Sequence, residues 1–163
     1  MSEQELRTQL YASFRHRALI YYLIFDELRQ ELDEERAIAI MKRAIRRRGE
    51  AVGEQFAELA PNQLDGLKDA FLAVIPDDGQ MFAPEVTECN SGQLDITFHQ
   101  CPLKDAWRDA GLPDRDVATL CEIAAEIDVG TFVGAGFKFE ATTWKPDCED
   151  CCHLHIRPGS NGE

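Results

Sequence analysis

The spacing of the apolar residues changes near residue 80, and this change limits the folds open to the chain more than any other feature. Before it, apolar positions recur every three or four residues. Leu10, Phe14, Ala18, Tyr21 or Tyr22, Phe25 and Leu28 share one stripe, which predicts a helix over residues 4–29. Ile38, Met41, Ile45, Val52, Phe56 and Leu59 form a second stripe. Asp33 is its expected N-cap, Glu34 and Glu35 suit the dipole of its first turn, and Pro61 is its expected end. Gly49 and Gly53 lower its helix propensity, which points to close packing against a neighbour. Leu64, Leu67, Phe71, Leu72 and Ile75 predict a shorter helix over residues 62–75, capped by Asn62.

Beyond residue 80 the period falls to two. Leu94, Ile96 and Phe98 alternate with Asp95, Thr97 and His99, and Asn90-Ser91-Gly92 separates this strand from one over residues 82–89. Pro102 then stands at an expected first helical position, opening a helix to about residue 110 that stops at Gly111. Asp114 or Asp116 opens another, to about Asp128. Gly130, Gly134 and Gly136 read as a flexible approach to a third strand, lined on one face by Phe137, Phe139, Ala141 and Thr143. After a turn over residues 146–150, Cys152, Leu154 and Ile156 alternate with Cys151, His153 and His155 in a fourth strand.

The expected class is α+β, with N-terminal helices packed on a small antiparallel sheet and two helices inserted between its hairpins. With 163 residues, 44% of them hydrophobic, the chain has material for a single domain over 1–163. It divides into a helical scaffold (1–80), a cysteine-bearing sheet with its helices (81–157) and a tail expected to be disordered (158–163).

Charge and hydropathy exclude several functions. A net charge of −13 disfavours nucleic acid and anionic membrane surfaces as partners. The longest strongly apolar run, residues 18–25 between Arg17 and Asp26, is too short to span a bilayer. Residues 1–17 are polar and charged, without the apolar stretch of an export signal. A cytoplasmic protein acting on a small molecule is expected. The apolar middle of the first helix suits a central position or a subunit contact, as in a homodimer. Lys42, Arg43, Arg46, Arg47 and Arg48 read as a solvated basic face that pairs with the surplus acids.

The six cysteines all lie between Cys89 and Cys152. Under reducing conditions they are thiols, metal ligands or redox groups rather than staples. Cys101 ends a strand and precedes Pro102, so it would cap the next helix, where first-turn amides and the dipole favour a thiolate. A nucleophile, a metal ligand and a buried thiol at a strand end all remain open. Cys121 lies within a helix, with Ala125 and Asp128 on the same stripe; both have ordinary structural readings, as a core thiol and a helix-end carboxylate. Cys148, Cys151, His153 and His155 form the densest ligand cluster, with a Cys-x-x-Cys clamp that could hold a metal on one face of the last strand. Cys152 shares its face with Leu154 and Ile156 and is the inward candidate. Phosphate-loop, dinucleotide, nucleophile-elbow and zinc-protease motifs are absent.

Cys101-Pro102-Leu103, Leu120-Cys121, Asp128 and the terminal hairpin with Cys151-Cys152-His153-Leu154 together resemble the L-2-amino-thiazoline-4-carboxylic acid hydrolase family. The long N-terminal helices are also similar to that family, and the resemblance covers roughly residues 10–157. It implies hydrolytic opening of a cyclic amidine-type C–N bond in a small carboxylate. It also implies that Cys101, Cys121, Asp128 and Cys152 line the catalytic site. Two chemistries follow. Cys101 attacks directly while Asp128 holds the amidinium, or Cys101, Cys121 and Cys152 hold a zinc that carries the attacking water. The same thiols would serve a non-enzymatic zinc or iron–sulfur sensor or carrier. For the substrate carboxylate, Arg157, Arg108 and Lys138 are the candidate cations.

Overall fold

The computed structural model describes residues 1–148 and 151–161. Helix α1 (Glu3–Glu31) opens with a capping box in which Ser2 Oγ accepts from the Glu5 N–H and the Glu5 carboxylate accepts from the Ser2 N–H. Helix α2 (Glu34–Gly53) is capped by Asp33, whose carboxylate accepts the Arg36 N–H at 2.8 Å. A 3-10 segment, Glu54–Leu59, carries the stripe on to Phe56 and Leu59. Helix α3 (Leu64–Ala73) is preceded by Gln63, without a side-chain cap, so Asn62 does not take the capping role expected of it.

Strands β1 (Pro84–Cys89) and β2 (Leu94–Phe98) form the expected hairpin, with Asn90 Oδ1 accepting from the Gly92 and Gln93 N–H groups inside the turn. Helix α4 (Pro102–Asp109) follows β2, and α5 (Asp114–Ala124) and α6 (Glu126–Ala135) follow it. Strands β3 (Lys138–Thr142) and β4 (Cys152–Arg157) complete an antiparallel sheet of order β1-β2-β4-β3. The protein is α+β.

Two expectations are corrected. The helix expected to run to Asp128 breaks at Ala125, so α5 and α6 are separate. Gly130 and Gly134 lie inside α6 rather than in a flexible approach. They serve helix packing. A Cβ on Gly130 would come within 2.2 Å of the Arg46 carbonyl oxygen, and one on Gly49 within 2.2 Å of that of Ile127. The backbones of α2 and α6 therefore touch where Gly49 and Gly53 meet Ile127, Gly130 and Thr131. Gly136, at φ +112°, does take the left-handed conformation that ends α6.

The core has two parts. Phe25, Trp107, Val117, Leu120 and Ile123 belong to a cluster shared by α1, α2, α4 and α5. Its Trp107 ring N–H donates to the Ala18 carbonyl at 2.7 Å, so the indole is buried without an orphan donor. Leu94, Ile96, Leu154 and Ile156 from the inner face of the sheet pack with Phe56, Phe71 and Phe132 in the second. On α1, the side chains of Ile20, Leu23 and Ile24 are exposed. Of the expected tail, Gly159 is anchored, its N–H donating to the Pro61 carbonyl at 2.8 Å. Among the described residues no helix is long and apolar enough to cross a membrane.

Candidate active site

The two core clusters do not close on each other completely. They leave a cavity of about 220 Å³. Its walls are the inner face of the sheet (Phe98, Ala141, Cys152, Leu154), α4 (Leu103, Trp107) and the α5–α6 junction (Cys121, Ala124, Ala125, Ile127, Asp128). Phe14 and Arg17 of α1, with Phe71, Val74, Ile75, Pro76 and Phe82, complete it. Cys101 lines the same cavity. In a wall this apolar, the few polar side chains set the chemistry.

Cys101 is the N-cap of α4, in extended conformation, as the Pro102 signal predicts. Its sulfur makes no side-chain cap hydrogen bond, but the nearby Leu103 and Lys104 N–H groups favour its charged form. The neighbouring Cys151 thiol is the largest influence holding Cys101 below the usual thiol range. Burial opposes this, and the two amides reinforce it. The Lys104 ammonium is buried beside it. Burial works against that charge, but Asp105, 3.2 Å away, and the Cys151 and Cys101 thiols outweigh it. This arrangement supports a thiolate.

The other thiols differ. Cys121 is buried in α5, and burial pushes its thiol well above the usual range. Cys151 is also raised, by its interactions with the neighbouring Cys101 and with Cys152, whose Sγ lies 3.4 Å away. Both are therefore neutral. Asp128, the first-turn carboxylate of α6 facing the cavity, has no side-chain hydrogen-bond partner among the described residues, and burial pushes it up to about 7. Near neutral pH it can hold or release a proton.

The structure thus brings Cys101, Cys121, Asp128 and Cys152 to one cavity. It does not bring the expected metal quartet together. Cys151 was expected on the outer face with the two histidines, but its side chain is buried against Cys101. The reason is positional: Cys151 precedes the first residue of β4, where strand alternation does not yet apply. His153 pairs with Thr97 at 3.0 Å and His155 with Asp95 at 3.1 Å across the outer face, while Cys148 is exposed. Glu149 and Asp150, which flank this cluster in sequence, lie outside the described residues. Among the described residues no group of three or more His, Cys, Asp or Glu side chains is placed to hold a metal ion.

The candidate cations for a substrate carboxylate are also displaced. Arg157 is bound to Asp95 at 2.7 Å, the Arg108 guanidinium lies over the Trp144 ring, and Lys138 is exposed at the start of β3. Arg17 lines the cavity instead, its guanidinium 4.4 Å from the centre of the Phe14 ring. No carboxylate of the described residues pairs with it. Its signal in the sequence was a cation on the otherwise apolar stripe of Phe14, Ala18 and Tyr21.

The model of the L-2-amino-thiazoline-4-carboxylic acid hydrolase family matches residues 12–156. The chain belongs to that family. No curated protein matches it. Among solved structures, the crystal structure of a trafficking protein particle complex subunit 3 from Naegleria fowleri covalently bound to palmitic acid is similar, with a TM-score of 0.58. The identity is 14%, and the match covers 91% of this chain and 96% of that one. At that identity the likeness concerns the fold alone. Membership of this hydrolase family agrees with the resemblance carried by Cys101-Pro102-Leu103 and the terminal cysteine-bearing strand.

Proposed function

We propose that this member of the family is a hydrolase that opens the ring of a small cyclic amidine carboxylate of the 2-amino-thiazoline-4-carboxylate type. The observation that carries the reading is the meeting, in one small apolar cavity, of a thiol held below its usual range (Cys101) and a carboxylate with no side-chain partner among the described residues (Asp128).

The geometry suggests a division of labour. The Asp128 carboxylate binds the amidinium N–H groups, and Arg17 at the α1 side takes the substrate carboxylate. The Cys101 sulfur adds to the amidinium carbon; the Asp128 carboxylate then takes a proton from the exocyclic nitrogen of the adduct and delivers it to the ring nitrogen as the ring C–N bond breaks. Water adds to the same carbon, Asp128 relays one of its protons to the exocyclic nitrogen, the other passes to the freed amine, and the Cys101 thiolate is expelled. One water is consumed, the ring is opened, and both protein groups return to their starting state.

The test is incubation of the purified protein with L-2-amino-thiazoline-4-carboxylate, following the ring-opened product by mass spectrometry. Turnover that disappears in Cys101→Ser supports the reading. Undiminished turnover in that variant sinks it.

The apolar walls and the thiol favour a second reading, in which Cys101 carries a fatty acyl chain as a thioester. Cavity volume favours the first. About 220 Å³ lies below the roughly 300–1,000 Å³ typical of drug-sized ligands, so a small substrate fits better than a long chain. An acyl adduct on Cys101 in the intact mass of the isolated protein would reverse that ranking.

A further inference from the structure

We propose that Cys101 and Cys151 are a peroxide-responsive pair that closes into a reversible disulfide. Cys101 is thereby a modification site as well as a candidate nucleophile. The pairing of β4 with β2 sets up the contact. Phe98 lies opposite Cys152, and the Cys151 N–H donates to the Phe98 carbonyl at 3.1 Å. The start of β4 is thus held beside the end of β2, from which the chain runs directly to Cys101 at the N-cap of α4.

The two sulfurs have unequal access. Cys101 lines the cavity, so a small peroxide can reach it. Cys151 is only 2% exposed; its sulfur lies 3.4 Å from that of Cys152, and its N–H bond to Phe98 holds it beside the segment that leads to Cys101. Cys152 also lines the cavity, but Cys101 is the thiol held below the usual range at the start of α4, so oxidation starts there and the buried Cys151 resolves it.

The steps balance. The Cys101 thiolate attacks one oxygen of hydrogen peroxide, the O–O bond breaks, and the departing hydroxide takes up a proton to leave as water. Cys101 becomes a sulfenic acid. The Cys151 sulfur then attacks the Cys101 sulfur, an S–S bond forms, and the S–O bond breaks. The Cys151 proton leaves with that oxygen as a second water. Two thiols are oxidised and one peroxide is reduced. A dithiol reverses the change by exchange. While the disulfide is closed, the cavity has no thiolate.

The experiment needs no substrate, so its outcome is independent of the proposed hydrolysis. The reduced full-length protein is treated with an equimolar amount of hydrogen peroxide and its peptides are mapped without reduction. The expected product links Cys101 to Cys151 and disappears on adding dithiothreitol. In Cys151→Ser, Cys101 sulfenic acid trapped by dimedone is expected to rise roughly fivefold over wild type, and recovery with dithiothreitol to fall as sulfinic acid accumulates. Cys152→Ser is expected to retain the Cys101–Cys151 link. Wild-type protein that links Cys151 to Cys152, or leaves Cys101 unlinked, overturns the proposal even if the Cys151 variant fails to fold.

Discussion

The two faces of the sheet use the same kinds of side chain to opposite ends. On the outer face, Asp95 is bound by Arg157 at 2.7 Å and His155 at 3.1 Å, and His153 by Thr97 at 3.0 Å. Each of these polar groups has a partner on the same face. Across the cavity from the inner face, Asp128 of α6 has no side-chain partner among the described residues, and the Cys101 thiol at the start of α4 is held below its usual range. The difference teaches that the density of ligand-type residues in the sequence marks the wrong face. The sparse polar groups on the inner side are the ones left available for chemistry.

Exchanging residues between these classes gives the sharpest tests. Cys101→Ser is expected to lower turnover of the amino-thiazoline carboxylate by about 10³-fold or more, because an alcohol replaces the thiolate. His153→Ala, on the other face, is expected to leave turnover within about twofold of wild type. A large loss from the histidine variant in the same assay would dissolve the contrast.

Asp128→Asn is expected to cut turnover about 10²-fold while making the protein more stable at neutral and higher pH. Folded Asp128 keeps its proton up to about 7, whereas the unfolded chain releases it near 4. Stability is therefore full below about 4, falls as pH rises between these values, and levels off above about 7. The asparagine variant removes that loss, a gain of roughly 2 kcal/mol above pH 7 after discounting for the water that reaches the cavity. Urea denaturation at pH 5 and pH 8 measures it. Wild-type turnover that needs the carboxylate should rise through about pH 7, and a flat profile there would count against Asp128.

Arg17→Ala is expected to raise KM about tenfold with little change in kcat, since the guanidinium contacts the substrate carboxylate rather than the reacting carbon. Equal loss in both constants would assign it another role. The smallest effect is expected from Asp95→Asn, about 1 kcal/mol of stability and no change in turnover. Burial opposes the Asp95 charge, but Arg157 and His155 outweigh it and hold the carboxyl below its usual range. Its contribution is thus present above about pH 4 and lost as pH falls through the folded value.

What was legible in the sequence was local. The Asp33 cap, the hairpin at Asn90-Ser91-Gly92 and the position of Cys101 ahead of Pro102 depend on neighbours a few residues away, and period and capping chemistry reveal them. What was illegible depends on approach between distant segments. Gly130 and Gly134 have the composition of a loop, and only the backbone of α2 lying against α6 makes them helical packing residues. Cys151 has the parity of an outward residue, yet the chain before β4 turns it inward. Arg17 is one of several arginines on α1, and its place in the cavity requires Phe82 and Trp107 to be brought beside it.

The central claim is that Cys101 is a thiolate at the substrate cavity. Its alkylation by iodoacetamide, mapped by peptide mass across pH with and without L-2-amino-thiazoline-4-carboxylate, tests this most directly. The account predicts that Cys101 reacts first among the mapped cysteines, at a pH where ordinary thiols are still protonated, and that the substrate protects it. Modification of Cys101 only at the pH of an ordinary thiol, or at the same rate with the substrate present, would contradict it.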